Sequence, residues 1–182
     1  LTQSATDDMV RGESLDFVDE ALVKDARAVL GVLEGLGLTP VGAEEFVYLA
    51  GLPEPVAGTR DLRCRPASNG PHVIVDVKST ADLAKDSLQF SGVSWAIQLA
   101  VYALGGPYPT EGLQRDRWDR PIIDPTLVGT LERPAVSASV GVVVEVARGA
   151  GEARPHIIDL EAGYRLAELA CHVRAGRKVD VS

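Results

Sequence analysis

The sequence predicts an α/β domain, a mixed central β-sheet flanked by helices. Runs of β-branched and aromatic residues, bounded by Gly, Pro and Asn-Gly signals, mark three strands in the first half and two near the C-terminus. Apolar residues spaced three and four apart mark a helix at each end. A nearly all-apolar segment between the third and fourth strands reads as a buried helix. The resulting order, α-β-β-β-α-β-β-α, is that of one sheet with helices packed on it. At 182 residues and 46% hydrophobic content, the chain is sized for one core-bearing domain. We divide it into an N-terminal helical part (1–37), a core (40–105), an extended connection (106–135) and closing strands with a helix (136–182).

The first helix is predicted over 14–36, with Leu15, Val18, Leu22, Ala26, Val29, Leu30 and Leu33 on its apolar face. Ser14 is its expected N-cap, and Gly35 with Gly37 its stop. "EEFVYLA" (44–50), "VAGTRDLRC" (56–64) and "HVIVDVK" (72–78) read as strands, the last two joined through Asn69-Gly70. Residues 79–92 show no period and are predicted as a loop. "VSWAIQLAVYAL" (93–104) is the buried helix, and five of the eleven prolines fall in 105–135. Residues 138–147 and 154–160 are the last strands, and 159–178 the closing amphipathic helix.

The chain carries 26 acidic against 18 basic residues, a formal net charge of −8, which argues against coating nucleic acid by bulk electrostatics. Cys64 and Cys171 have no metal-ligand spacing and build no disulfide framework, so a reducing cytosol is the expected compartment. No stretch approaches the roughly 18 apolar residues of a membrane helix. The start lacks the basic-then-apolar pattern of a secretory leader.

Chemistry enters in the third strand. Val73, Val75 and Val77 share one face, while Ile74, Asp76 and Lys78 share the other. Ile74 implies that the second face is covered too, so Asp76 and Lys78 need partners or a metal. A two-residue turn would set Asp61 opposite Lys78 and Arg63 opposite Asp76. Pro66 and Pro71 argue for a longer loop that keeps Asp61 at the same end of the hairpin. Two carboxylates and a lysine then converge, a hard-oxygen set suited to Mg²⁺ or Mn²⁺. An internal salt bridge explains a lone D-x-K pair equally well. Gln98 and Tyr102 are i,i+4 neighbours on the buried helix, where an amide needs a hydrogen-bond partner.

"GTRD" (58–61), "DVK" (76–78) and "QLAVY" (98–102), in that order on strand, strand and helix, resemble the PD-(D/E)XK nuclease superfamily, in its RecB-like exonuclease branch with a Q-x-x-x-Y motif. The resemblance covers roughly residues 40–105. It implies a restriction-endonuclease-like core and metal-dependent hydrolysis of DNA phosphodiesters. It assigns metal binding to Asp61, Asp76 and the Val77 carbonyl, catalytic assistance to Lys78, and positioning to Gln98 and Tyr102. The family's upstream glutamate falls on Glu44 or Glu45, with the alignment of "V-Y-L" favouring Glu44. Arg63 and Arg65, on the face of Asp61, are candidate DNA contacts. His72 reads as a turn-edge residue, and His156 and His172 lie outside the constellation.

The chain departs from the family in having no histidine before His72 and Ser-Thr after the D-x-K. With two cysteines it lacks the four that the iron–sulfur members need, so no such cluster is expected. The expected protein is a cytoplasmic deoxyribonuclease, of a bacterial cell or a phage-infected host, using Mg²⁺ or Mn²⁺ on DNA. The alternative is a non-catalytic descendant serving protein partners in recombination, repair or phage assembly.

Overall fold

The structure, a computed structural model, describes residues 19–84, 87–111, 113–117 and 120–177. It is the predicted α/β architecture, a six-stranded mixed sheet flanked by three helices. In chain order these are α1 (Glu20–Gly35), β1 (Leu38–Leu49), β2 (Val56–Pro66), β3 (Val73–Thr80), α2 (Ser87–Leu104), β4 (Gly106–Pro107), β5 (Val140–Ala147), β6 (Glu152–Asp159) and α3 (Leu160–Arg177). The sheet runs β4-β1-β2-β3-β5-β6, antiparallel except for the parallel β3–β5 pair. A parallel neighbour requires a crossover, and α2 with the long connection supplies it.

The two faces are covered by different helices. Val75, Val77, Leu62, Cys64, Val142, Val144 and Val146 pack with Val29 and Leu33 of α1. Ile74 and Val143 pack on the opposite face with Trp95, Ala96 and Leu99 of α2. β3 is therefore buried on both sides, as Ile74 implied. Burial pushes the Cys64 thiol up to about 12, so it is an inert core residue. α3 lies against α2 at Gly163, where a Cβ would overlap the Ala96 carbonyl. The N-terminal helix is tied to the last hairpin by Asp25, whose carboxylate accepts the backbone N–H groups of Gly149 (2.6 Å) and Gly151 (2.8 Å).

Several boundaries differ from the sequence expectations. α1 begins at Glu20, with Asp19 capping the N–H of Ala21, and the proposed cap Ser14 lies outside the described residues. Gly37, at φ +66°, forms the expected stop. β1 starts six positions before residue 44, at Leu38, because a bulge between Pro40 and Gly42 absorbs residues that weaken a strand. The segment 79–92 is not a loop throughout. Ser79 and Thr80 extend β3, and α2 begins at Ser87. The connection 105–135 contains β4 and a short 3₁₀ turn at Pro125–Leu127. Residue 178, predicted at the end of α3, lies outside the described residues.

The hairpin register is also corrected. Arg63 pairs with Ile74, not Asp76, and Leu62 pairs with Val75. The turn occupies Pro66–Asn69, with Asn69 at φ +56°, and His72 is held by backbone bonds to Ala135 and Ser137. The shift of two positions keeps every side chain on its predicted face.

Candidate functional site

The site arises where two strands part. Backbone pairing of β2 with β3 covers only Leu62–Cys64 and Val73–Val75. Below that point β2 continues beside β1, and β3 continues beside β5. At the fork the Asp61 carboxylate replaces a strand carbonyl, its Oδ2 accepting the N–H of Val77 at 2.8 Å. A side chain thus closes the ladder and carries a charge into the sheet.

Asp76 projects beside it. Asp76 is 1% exposed and Asp61 6%, so two carboxylates are buried within hydrogen-bonding reach of each other. Lys78 Nζ lies 2.7 Å from Asp76 Oδ2 and is one-third exposed. That contact is an ion pair without hydrogen-bond geometry, and neither carboxylate oxygen of Asp76 has a hydrogen-bond partner. Burial raises the Asp76 pKa, and the Lys78 and Asp61 contacts only partly oppose the rise.

Gln98 and Tyr102 meet as the helix spacing required, with Gln98 Nε2 donating to the Tyr102 hydroxyl at 2.8 Å. Burial raises the Tyr102 pKa, the Gln98 hydrogen bond opposes the rise, and the charges of Asp76 and Asp61 add to it. Gly58 makes room for it, because a Cβ there would stand 2.7 Å from the Tyr102 ring. The glycine of "GTRD" is therefore a steric requirement of the tyrosine of "QLAVY".

The two glutamates separate sharply. Glu45 receives Arg60 Nε at 2.8 Å and Arg63 Nη2 at 2.8 Å. Burial alone would raise its pKa, but the Arg63 hydrogen bonds and both arginine charges hold it below the ordinary carboxylate range. Arg63 also places Nη1 2.9 Å from His72 Nδ1, so this DNA-contact candidate is engaged within the protein. Arg65 is exposed. Burial lowers the His72 pKa, and Arg63 and Arg65 lower it further. Glu44 is exposed, with its backbone in the left-handed region at φ +50°.

A non-glycine residue held there costs about 1–2 kcal/mol and is retained only where something over-determines it. Glu44→Gly is accordingly expected to raise the unfolding free energy by about 1 kcal/mol in chemical denaturation. If Glu44 is also a metal ligand, the same variant weakens Mn²⁺ binding measured by titration calorimetry. Unchanged Mn²⁺ affinity removes Glu44 from the ligand set.

The structure brings Asp61, Asp76, Lys78, Gln98 and Tyr102 together. Among the described residues, no three His, Cys, Asp or Glu side chains group as a metal site. Two carboxylates suffice for Mg²⁺, which keeps waters and takes substrate oxygens for its other positions. The unsatisfied, buried oxygens of Asp76 fit that role. On the same face, sequence reasoning passed over Glu145 of β5, 2% exposed. Its Oε2 receives Arg154 Nη2 at 2.8 Å and lies 2.7 Å from His156 Nε2. His156, set aside as outside the constellation, is thus part of a polar cluster one strand from Lys78. Comparison with family models finds no match, and comparison with curated proteins finds no relative.

Proposed function

We propose that this protein is a metal-dependent DNA nuclease of the PD-(D/E)XK type, cleaving phosphodiesters, as an exonuclease, with Mg²⁺ or Mn²⁺. The observation that carries the reading is Asp76, a buried carboxylate beside Asp61 whose Oδ1 has no hydrogen-bond partner and whose Oδ2 is met only by the partly open Lys78 ammonium. A protein core has no use for such a group, because burying an incompletely satisfied charge is costly. Groups of this kind concentrate at functional sites.

Asp61 and Asp76 would hold the ion, with the Val77 carbonyl as a further ligand by the family resemblance. The bound ion supplies Lewis-acid polarisation of a phosphoryl oxygen and lowers the pKa of water. Asp61 is fixed for this task by the Val77 N–H, which leaves the direction of its carboxylate no freedom. Lys78, partly open to solvent, orients the attacking water and offsets charge developing on the phosphate. Tyr102, locked by Gln98 and seated over Gly58, walls the fork on the α2 side.

The test is digestion of end-labelled single- and double-stranded DNA with Mg²⁺ or Mn²⁺. Wild type is expected to release nucleotides, and Lys78→Ala to lose at least about 100-fold in rate, the scale of one charge-stabilising or proton-transfer group. No cleavage by wild type with either ion defeats the proposal, and activity surviving in Lys78→Ala defeats the role of the lysine.

The second reading is a non-catalytic protein of the same fold, acting in recombination, repair or phage assembly. The absence of a three-ligand group among the described residues favours it. Wild type that binds DNA yet never cuts supports that reading.

A further inference from the structure

Two rows of side chains cross the α2 face of the sheet. Asp76 neighbours Val143, which neighbours His156, and Lys78 neighbours Glu145, which neighbours Arg154. Glu145 is the only charged residue of β5, whose sequence is otherwise Val, Gly and Ala. The other positions on its face of the strand are Gly141, Val143 and Ala147, all apolar. A buried ion pair contributes little more than a well-packed apolar side chain, so stability alone gives this strand no reason to depart from valine.

The second row is buried in the middle and open at its ends. Glu145 is 2% exposed, whereas the side chains of Lys78 and Arg154 are 33% and 38% exposed. The guanidinium is presented rigidly. Its Nη2 is held by Glu145, and the same carboxylate oxygen is fixed by His156, whose ring lies 5.5 Å from that of Trp95 in α2. Trp95 is itself 7% exposed, so the whole support is part of the core. β6 is an edge strand, and a polymer reaches Arg154 without crossing another strand. On the other flank of the fork, the ion-paired Arg63 is less open to solvent, its side chain 15% exposed.

We propose that Arg154 binds a backbone phosphate of the nucleic acid a few nucleotides from the cleavage point, with Glu145 and His156 as its positioning residues. The inference rests on the nuclease reading and assigns the substrate a direction, across β5 and β6 rather than across β1. Two strand spacings separate Lys78 from Arg154, about 10 Å, which is roughly three nucleotide rises of a stacked strand at ~3.4 Å each. A chain with a net charge of −8 needs such a local cation to retain a polyanion.

The experiment is fluorescence anisotropy of a labelled single-stranded oligodeoxynucleotide without divalent ions, over a range of salt, using the full chain. Arg154→Gln keeps a donor for Glu145 and loses the charge, and its melting temperature is measured alongside. It is expected to bind about tenfold more weakly, with the log–log salt slope shallower by about 0.7, the loss of one phosphate contact. Arg154→Lys is expected to restore the slope. A purely structural arginine would lower the melting temperature and leave the slope unchanged. Should Arg154→Gln not fold, Glu145→Gln with Arg154→Gln removes the buried charge as well and is read in the same way.

If wild type binds and cuts DNA while the neutral variant keeps its affinity and slope, the Arg154 assignment is overturned and the nuclease reading stands. If wild type neither binds nor cuts, the nuclease reading fails first and the Arg154 assignment falls with it.

Discussion

Asp76→Asn is expected to raise the melting temperature while abolishing the metal-dependent cleavage proposed for the wild type. The carboxylate of Asp76 is buried, its Oδ1 without a hydrogen-bond partner and its Oδ2 met only by Lys78, and burial raises its pKa. Ionising it therefore costs more in the folded protein than in the unfolded chain. The folded state binds this proton more tightly, so the stability associated with it is complete below the unfolded value of 3.8 and is lost as pH rises through the raised folded pKa. Above the raised folded pKa the native site carries the full penalty. Asparagine has the same shape without the charge, and its N–H can donate to Asp61. Lys78, one-third exposed, is left to water.

Each kcal/mol relieved corresponds to roughly 2–4 °C for a chain of this size. The difference between wild type and variant is largest above the raised folded pKa and closes as pH falls below the unfolded value. Divalent ions reverse the order. Under the proposed metal site, Mn²⁺ at 100 times its dissociation constant is expected to add about 2.7 kcal/mol to wild type and nothing to the variant. Differential scanning fluorimetry across pH, with and without Mn²⁺, reads both effects. A variant less stable than wild type at pH 7, with no Mn²⁺ shift in wild type, would sink the metal-site assignment.

Glu45→Ala is expected to destabilise the fold by about 3 kcal/mol or more, the scale of breaking a buried ion pair from one side. Arg60 is 1% exposed and is the partner at stake. Without Glu45 its guanidinium retains only the Tyr102 carbonyl, 3.4 Å from Nη1, while Nη2 already has no hydrogen-bond partner. Removing the charge as well restores much of the loss, so Glu45→Ala with Arg60→Met is expected to be more stable than Glu45→Ala alone. Urea denaturation of these two variants and of Arg60→Met alone completes a double-mutant cycle, with a coupling of about 2 kcal/mol expected. A coupling near zero would mean that Arg60 is stabilised by something other than Glu45. The pair also matters to the site, because Arg60 adjoins Asp61 and bonds the backbone of Tyr102.

The fold was legible where the hydrophobic period was strict. "VIVDVKST" and "ASVGVVVEVA" carry enough β-branched residues to announce strands, and the coverage of both faces of β3 followed from Ile74 alone. It was not legible where polar residues occupy regular structure. The first turns of α2, with Ser87, Gln89 and Ser91, lack the apolar spacing that marks a helix, and Pro40 disguised the first half of β1. The convergence of Asp61 with Asp76 was readable because parity in a hairpin survives a register shift of two. The division of labour between Glu44 and Glu45 was not. Strict alternation puts them on opposite faces, and a left-handed residue at 44 breaks that alternation. Glu145 could have been found by the reasoning that singled out Asp76, since each is a lone carboxylate in a valine strand. It was hidden because its partners, Arg154 and His156, come from the following strand.

The Asp25 clamp has a consequence for the order in which the molecule assembles. Its two hydrogen bonds join positions 124 and 126 residues apart, so they close only after β5 and β6 have been made. The burial of Asp76 depends on the same late event, since β5 is the neighbour of β3. Contacts this distant in sequence bear a large loop-closure entropy and tend to form late in folding. A nascent chain that has already exposed Asp61, Asp76 and Lys78 at the ribosome therefore has its carboxylates in water, at ordinary acidity and without a walled cleft. The carboxylate pair is enclosed only by the last hairpin to arrive.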